Sequence, residues 1–99
     1  MKISKIKREK IFEQILAFLY LETPKSFFTS EISREIARDE EFVKNLLIEL
    51  RGKKLIVEIK KNPKGISYKR RSRWKLSNIT YLAYKNSQSA EGLVQSIQH

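Results

Sequence analysis

Seven basic side chains crowd one short stretch: Lys60, Lys61, Lys64, Lys69, Arg70, Arg71 and Arg73. Residues 51–75 carry eleven Lys and Arg against Glu58 alone. Such density repels itself unless a polyanion neutralises it. The chemistry on offer is ionic: each Lys or Arg that pairs with a phosphate releases a condensed counterion. The charge is also segregated. Residues 1–10 carry a net +4, residues 11–50 a net −4, and the last 24 residues balance, for +10 over the chain. This distribution points to nucleic acid first and an anionic membrane surface second. The plain alternative is a solvated, Lys-rich surface of the kind found in proteins from hot environments.

Groups for covalent or acid–base catalysis are scarce. The sole histidine is His99, and there is no cysteine. Asp39, Glu40 and Glu41 are adjacent, so their carboxylates diverge around a helix rather than pairing. The three glycines, at 52, 65 and 92, build no phosphate-binding loop. No metal-ligand set can be assembled, and no cofactor or small-molecule ligand is evident. The chain is therefore expected not to be an enzyme. The lack of cysteine favours an intracellular, cytoplasmic setting. The uncharged run Gln14–Leu21 is too short to span a bilayer, and Glu13 and Gln14 break any leader-like apolar stretch.

The elements that must position the basic cluster follow from hydrophobic spacing. Ninety-nine residues make one small domain with a modest core. Residues 1–7 read as a basic arm, with Lys5, Lys7, Arg8 and Lys10 available for added backbone contacts. A first helix is expected over Lys7–Glu22, with Ile11, Ile15, Phe18 and Leu19 at helical spacing and Phe12 and Leu16 widening the stripe. Thr23-Pro24 ends it. Ser26–Thr29 suits a short strand. Thr29 or Ser30 is a natural N-cap for a second helix over Glu31–Ala37, which shows the core Ile32 and Ile36. Asp39 caps a third helix from Glu40 to about Arg51, with Val43, Leu46, Leu47 and Leu50 inward. Its outer face carries Glu41, Lys44, Asn45, Ile48 and Glu49. Gly52, Lys53 and Lys54 end it.

Leu55–Lys61 alternates as a half-buried strand with Leu55, Val57 and Ile59 inward. Asn62-Pro63-Lys64-Gly65 has type I turn residues. A return strand runs to Ser77 with Tyr68, Trp74 and Leu76 on one face. Two registers are open. A tight turn pairs Ile59 with Tyr68. A slip of four residues pairs Val57 with Trp74 and Leu55 with Leu76, and is preferred because it buries Trp74 and Leu76. Asn78 is the expected cap of a last segment, residues 78–99. That segment is either a frayed tail or a dimerisation helix with Ile79, Leu82, Ala83, Ala90, Leu93, Val94 and Ile97 as its seam.

The order helix, strand, helix, turn, helix, hairpin resembles the winged helix-turn-helix family of DNA-binding proteins, an α+β fold. The resemblance covers about residues 8–77. It rests on Glu31-Ile32-Ser33, Asp39, the Val43/Leu47/Leu50 stripe, Lys54-Leu55-Ile56 and Trp74-Lys75-Leu76-Ser77. Three positions depart from the family pattern: Ala37 and Lys54 stand where glycine is usual, and Arg38 where an aliphatic residue is. The resemblance implies that the third helix enters the major groove and the hairpin, or wing, grips the backbone. Lys44, Asn45 and Ile48 would then face base edges, with Lys60, Lys61, Lys64, Lys69, Arg70, Arg71 and Arg73 on phosphates. It implies a small, nucleoid-associated transcriptional regulator on double-stranded DNA, a homodimer through its C-terminal segment. Rival readings are an RNA- or ribosome-associated winged helix and a protein-interaction module in a transcription or replication assembly.

Overall fold

A computed structural model describes residues 5–61, 64–65 and 71–87. The elements are α1 (Lys5–Leu21), β1 (Phe27–Phe28), α2 (Thr29–Ile36), α3 (Glu40–Gly52), β2 (Ile56–Ile59) and β3 (Arg73–Leu76). A further helix, α4, covers residues 78–87. The expected order of elements is therefore present. The strands form one antiparallel sheet in the order β1-β3-β2.

The core sits where the helical stripes meet one face of the sheet. Ile11, Ile15 and Leu19 of α1, Ile32 of α2, the four apolar residues of the α3 stripe, and Ile56, Trp74 and Leu76 of the sheet are all buried. The α1 and α3 stripes are the ones expected from spacing. Helix α1 begins at Lys5, so it takes in the last three residues of the expected arm. Arg8 is also not a free arm residue: its Nη2 lies 2.6 Å from Glu49 Oε1 and its guanidinium covers the Phe12 ring.

The hairpin register differs from both expected ones. Ile56 pairs with Leu76, Val57 with Lys75, Glu58 with Trp74 and Ile59 with Arg73. This is one residue from the preferred slip, and a one-residue slip turns every side chain of a strand to the other face. Ile56, not Leu55 or Val57, is consequently the inward residue: Ile56 is 1% exposed and Val57 38%. The end of α3 also differs from expectation. Lys54 takes a left-handed backbone, φ 63°. Leu55 N–H donates to Leu50 O and Lys54 N–H to Arg51 O, the two bonds of a Schellman closure. Gly52 remains helical, so the break comes two residues later than glycine placement implied.

The turn between α2 and α3 closes in the same way. Ala37 is left-handed at φ 56°, with Ala37 N–H donating to Arg34 O and Arg38 N–H to Ser33 O. The turn is thus tight despite lacking glycine. A left-handed alanine or lysine carries a Cβ clash that glycine avoids, and glycine's larger unfolded-state freedom offsets only part of that relief. Ala37→Gly and Lys54→Gly are each expected to raise stability by about 0.5–1 kcal/mol, read from the midpoint of urea unfolding. An unchanged or lowered midpoint would contradict the strained backbone.

Two caps also differ from expectation. Helix α2 starts at Thr29, and its N-terminal turn is closed by Glu31, whose Oε1 accepts from Phe28 N–H at 2.8 Å. The Thr29 hydroxyl is not a cap. It accepts from Trp74 Nε1 at 3.0 Å. Ser77, not Asn78, caps α4: its Oγ accepts from Thr80 N–H at 3.3 Å and donates to Thr80 Oγ1 at 2.8 Å. Tyr81 and Tyr84 of α4 pack on Tyr20 of α1, with ring centroids 5.6 and 5.5 Å away. The segment after residue 77 is thus helical through residue 87, and the rest of the expected seam lies outside the described residues.

Candidate nucleic-acid interface

Helix α3 presents its outer face because its inner one is fully committed. Asp39 Oδ2 accepts from Phe42 N–H at 3.0 Å, which starts the helix where the sequence predicts. Val43, Leu46, Leu47 and Leu50 then bury, each at 1% exposure or less. Lys44 and Asn45 are left exposed and Ile48 40% exposed. Glu40 and Glu41 occupy the first turn, where acids complement the helix dipole. Glu49 is drawn off the outer face by Arg8 and, at 3.9 Å, by Lys53.

The base of the wing lies across from this face. A groove of about 210 Å³ separates the two. Glu40, Lys44, Ile48 and Arg51 line it from α3, Glu58, Arg71 and Ser72 from the hairpin, and Phe28 from β1. Lys60, Lys61 and Lys64 are exposed along the hairpin. Lys69, Arg70 and Tyr68 lie outside the described residues. Arg71 is exposed and its guanidinium lies 5.5 Å from the Phe28 ring centroid. Arg73 is half-buried: it stacks 4.3 Å from the same ring and its Nη1 donates to Ser26 O at 3.1 Å. The structure therefore brings Lys44, Ile48 and Arg71 to one groove and ties Arg73 to the body of the domain.

Glu58 is the neighbour of this groove that hydrophobic patterning passes over. It stands on the same sheet face as Trp74 and accepts from Ser72 Oγ at 2.6 Å and from Arg51 Nη1. One carboxylate thus joins β2, the strand entering β3, and α3. Its signal in the sequence is its solitude, as the one acid among eleven basic groups. Burial pushes the Glu58 carboxyl up, but the hydrogen bonds from Ser72 and Arg51 and the charges of Arg51 and Lys60 together outweigh it. Its pKa is therefore below the ordinary 4.5. A depressed folded-state pKa means the ionised form favours folding. That contribution is complete above the ordinary value and is lost as pH falls through it to the folded value. Glu58→Gln is expected to cost about 1–2 kcal/mol at neutral pH and to flatten the acid limb of stability against pH, measured by urea unfolding at a series of pH values. An acid limb as steep as in the wild type would remove Glu58 from this role.

Among the described residues no cluster of three His, Asp or Glu side chains could hold a metal ion, and no helix is long and apolar enough to cross a membrane.

No protein-family model matches this sequence, and neither does any curated protein sequence. Solved structures do match. MepR, a transcription regulator of the Staphylococcus aureus multidrug efflux pump MepA, aligns at a TM-score of 0.65 and 22% identity, over 88% of this chain and 61% of its own. MepR in complex with DNA aligns at 0.67 and 22% identity, over 94% of this chain and 77% of its own. Lactococcus lactis ZitR aligns at 0.59 and 17% identity, over 94% and 68%. The chain thus spans about three fifths of the length of the first of these structures. At such identities the likeness is one of fold, and the fold is the winged helix.

Proposed function

We propose that this winged-helix chain binds duplex DNA as a small transcriptional regulator, with α3 in the major groove and the hairpin on the phosphate backbone. The observation that carries the reading is the shared groove. Lys44 and Ile48 of α3 and Arg71 of the wing border one depression, and Lys60, Lys61 and Lys64 of the same hairpin are exposed. A helix face that offers a lysine, an asparagine and an apolar side chain matches what base edges present: lysine for guanine, asparagine for adenine, Ile48 for a thymine methyl. The basic hairpin supplies the sequence-independent part. Lys69 and Arg70 belong to the same proposed surface by their place in the sequence. Likeness to a solved winged helix in complex with DNA agrees with this arrangement. So does the net charge of +10. The setting is then the DNA inside the cell.

A homodimer completes the reading. Ile79 and Leu82 of α4 are 81% and 56% exposed, an apolar face that a second copy of the C-terminal segment would cover. Two copies would read half-sites about one helical turn apart, or a multiple of it, arranged as an inverted repeat.

The test is fluorescence anisotropy of a mixed-sequence DNA duplex over a salt series. Six phosphate contacts give a slope of about −5 in log affinity against log salt. Tighter binding to an A-form RNA duplex of equal length would shift the reading to RNA. No binding to either at low salt would overturn it, and the exposed α3 face would then be a surface for a protein partner.

A further inference from the structure

The wing carries its charge on long side chains, and long side chains bind phosphate well only when something holds them. Phe28 is placed to do so. Its backbone is fixed twice: it pairs with Arg73 across β1 and β3, and its N–H is held by the Glu31 carboxylate at 2.8 Å. The strand alternation that sends Phe27 against the Phe18 ring, at 4.8 Å, sends Phe28 to the opposite face. There its ring lies against two guanidinium groups, Arg73 at 4.3 Å and Arg71 at 5.5 Å. It also lines the groove that Lys44 and Ile48 border from α3.

The geometry of the contact matters. A guanidinium stacked on a ring uses its face, while its N–H donors lie in its plane and point outward. Stacking therefore restricts the side chain without consuming a donor. For Arg73 one donor already goes to Ser26 O. Arg71 is the exposed member of the pair.

We propose that Phe28 is a positioning residue for DNA binding: its ring seats Arg71 and Arg73 at the root of the wing and so sets where Arg71 meets a backbone phosphate. The proposal rests on the duplex-DNA reading above. Neither charge nor hydrogen-bonding capacity marks Phe28 as part of an interface; only its place under the two arginines does.

The experiment is a double-mutant cycle on the full chain with a fluorescent mixed-sequence DNA duplex. Phe28→Leu keeps apolar bulk and removes the ring face. It is expected to weaken binding about fivefold, the size of loss that two exposed cation–π contacts imply. It is also expected to make the salt slope shallower by about one contact. Phe28→Tyr keeps the ring and is expected to bind as wild type. In an Arg71→Ala background, Phe28→Leu is expected to cost little more. If the leucine variant melts below the assay temperature, Phe28→Met replaces it. A direct readout needs no DNA: the side-chain protons of Arg71 are expected upfield in wild type from the ring current, and at ordinary values in Phe28→Leu. Wild-type affinity and slope in the leucine variant, fully multiplying losses in the cycle, or an Arg71 unshifted in wild type would each overturn the proposal while leaving the DNA reading in place. A wild type that binds no duplex would overturn both.

Discussion

A Trp74→Ala variant is expected to lose about 3–5 kcal/mol of folding stability, the usual cost of deleting a buried tryptophan. Trp74 is 2% exposed and stands on the central strand of the sheet. Its cross-strand neighbours are Phe27 on one side and Glu58 on the other. Its Nε1 reaches Thr29 at the start of α2. Removing the indole opens a cavity at the point where the sheet meets the helix pair. A chain of this size is held by roughly 5–15 kcal/mol in all, so the loss would leave a large unfolded fraction. Circular dichroism during urea unfolding is the appropriate probe, since the chain has no second tryptophan to report by fluorescence. Two milder variants separate the contributions. Trp74→Phe removes the N–H with part of the ring. Thr29→Val keeps the ring but strands its N–H, at an expected cost of about 1–2 kcal/mol. A Trp74→Ala protein that unfolds at the wild-type midpoint would contradict the packing described.

The second large effect is on binding. Replacing Lys60, Lys61, Lys64 and Arg71 together by alanine is expected to make the DNA salt slope shallower by about 3–4 units. Near 50 mM salt it is expected to weaken affinity on the order of a hundredfold. All four side chains are exposed, and surface substitutions of this kind usually change stability by only about 0.5 kcal/mol. The variant should therefore melt like wild type. Arg73 is left out on purpose. It donates to Ser26 O and covers Phe28, so its removal would confound binding with folding. Lys44→Ala is the companion variant. If α3 reads bases, its loss falls unequally on different duplex sequences, whereas the hairpin variant weakens all of them alike. An unaltered slope in the fourfold variant would show that the hairpin does not neutralise phosphate.

The departures of structure from sequence expectation cluster at junctions, where several weak preferences compete. Thr29 has the chemistry of an N-cap, and alone it would be one. In the fold its hydroxyl is claimed by an indole 45 residues away, and Glu31 closes the helix start instead. Gly52 looks like a helix terminator, yet Lys54 is the left-handed residue. The closing bonds from Lys54 and Leu55, not glycine's freedom, set the end. Which of Leu55, Ile56 and Val57 is buried follows instead from the pairing of Ile56 with Leu76 across β2 and β3. A lone acid in a basic run has no local partner, and Arg51 and Ser72 reach Glu58 only through α3 and the hairpin.

Local information was sufficient wherever a rule depends on a few consecutive residues. The spacing of apolar residues set the inner faces of α1 and α3. Asp39 set the start of α3, and through it the outward placement of Lys44, Asn45 and Ile48. The crowding of basic residues between 51 and 75 is legible with no reference to structure. Contacts between distant segments were beyond reach, because their geometry depends on how elements dock. The register of β2 on β3, the indole bond that joins the sheet to α2, the Glu58 hub and the Phe28 seat under Arg71 and Arg73 all belong to that second group. Each joins elements whose separation in sequence carries no periodic signal, and each is set by the packing of helices on the sheet.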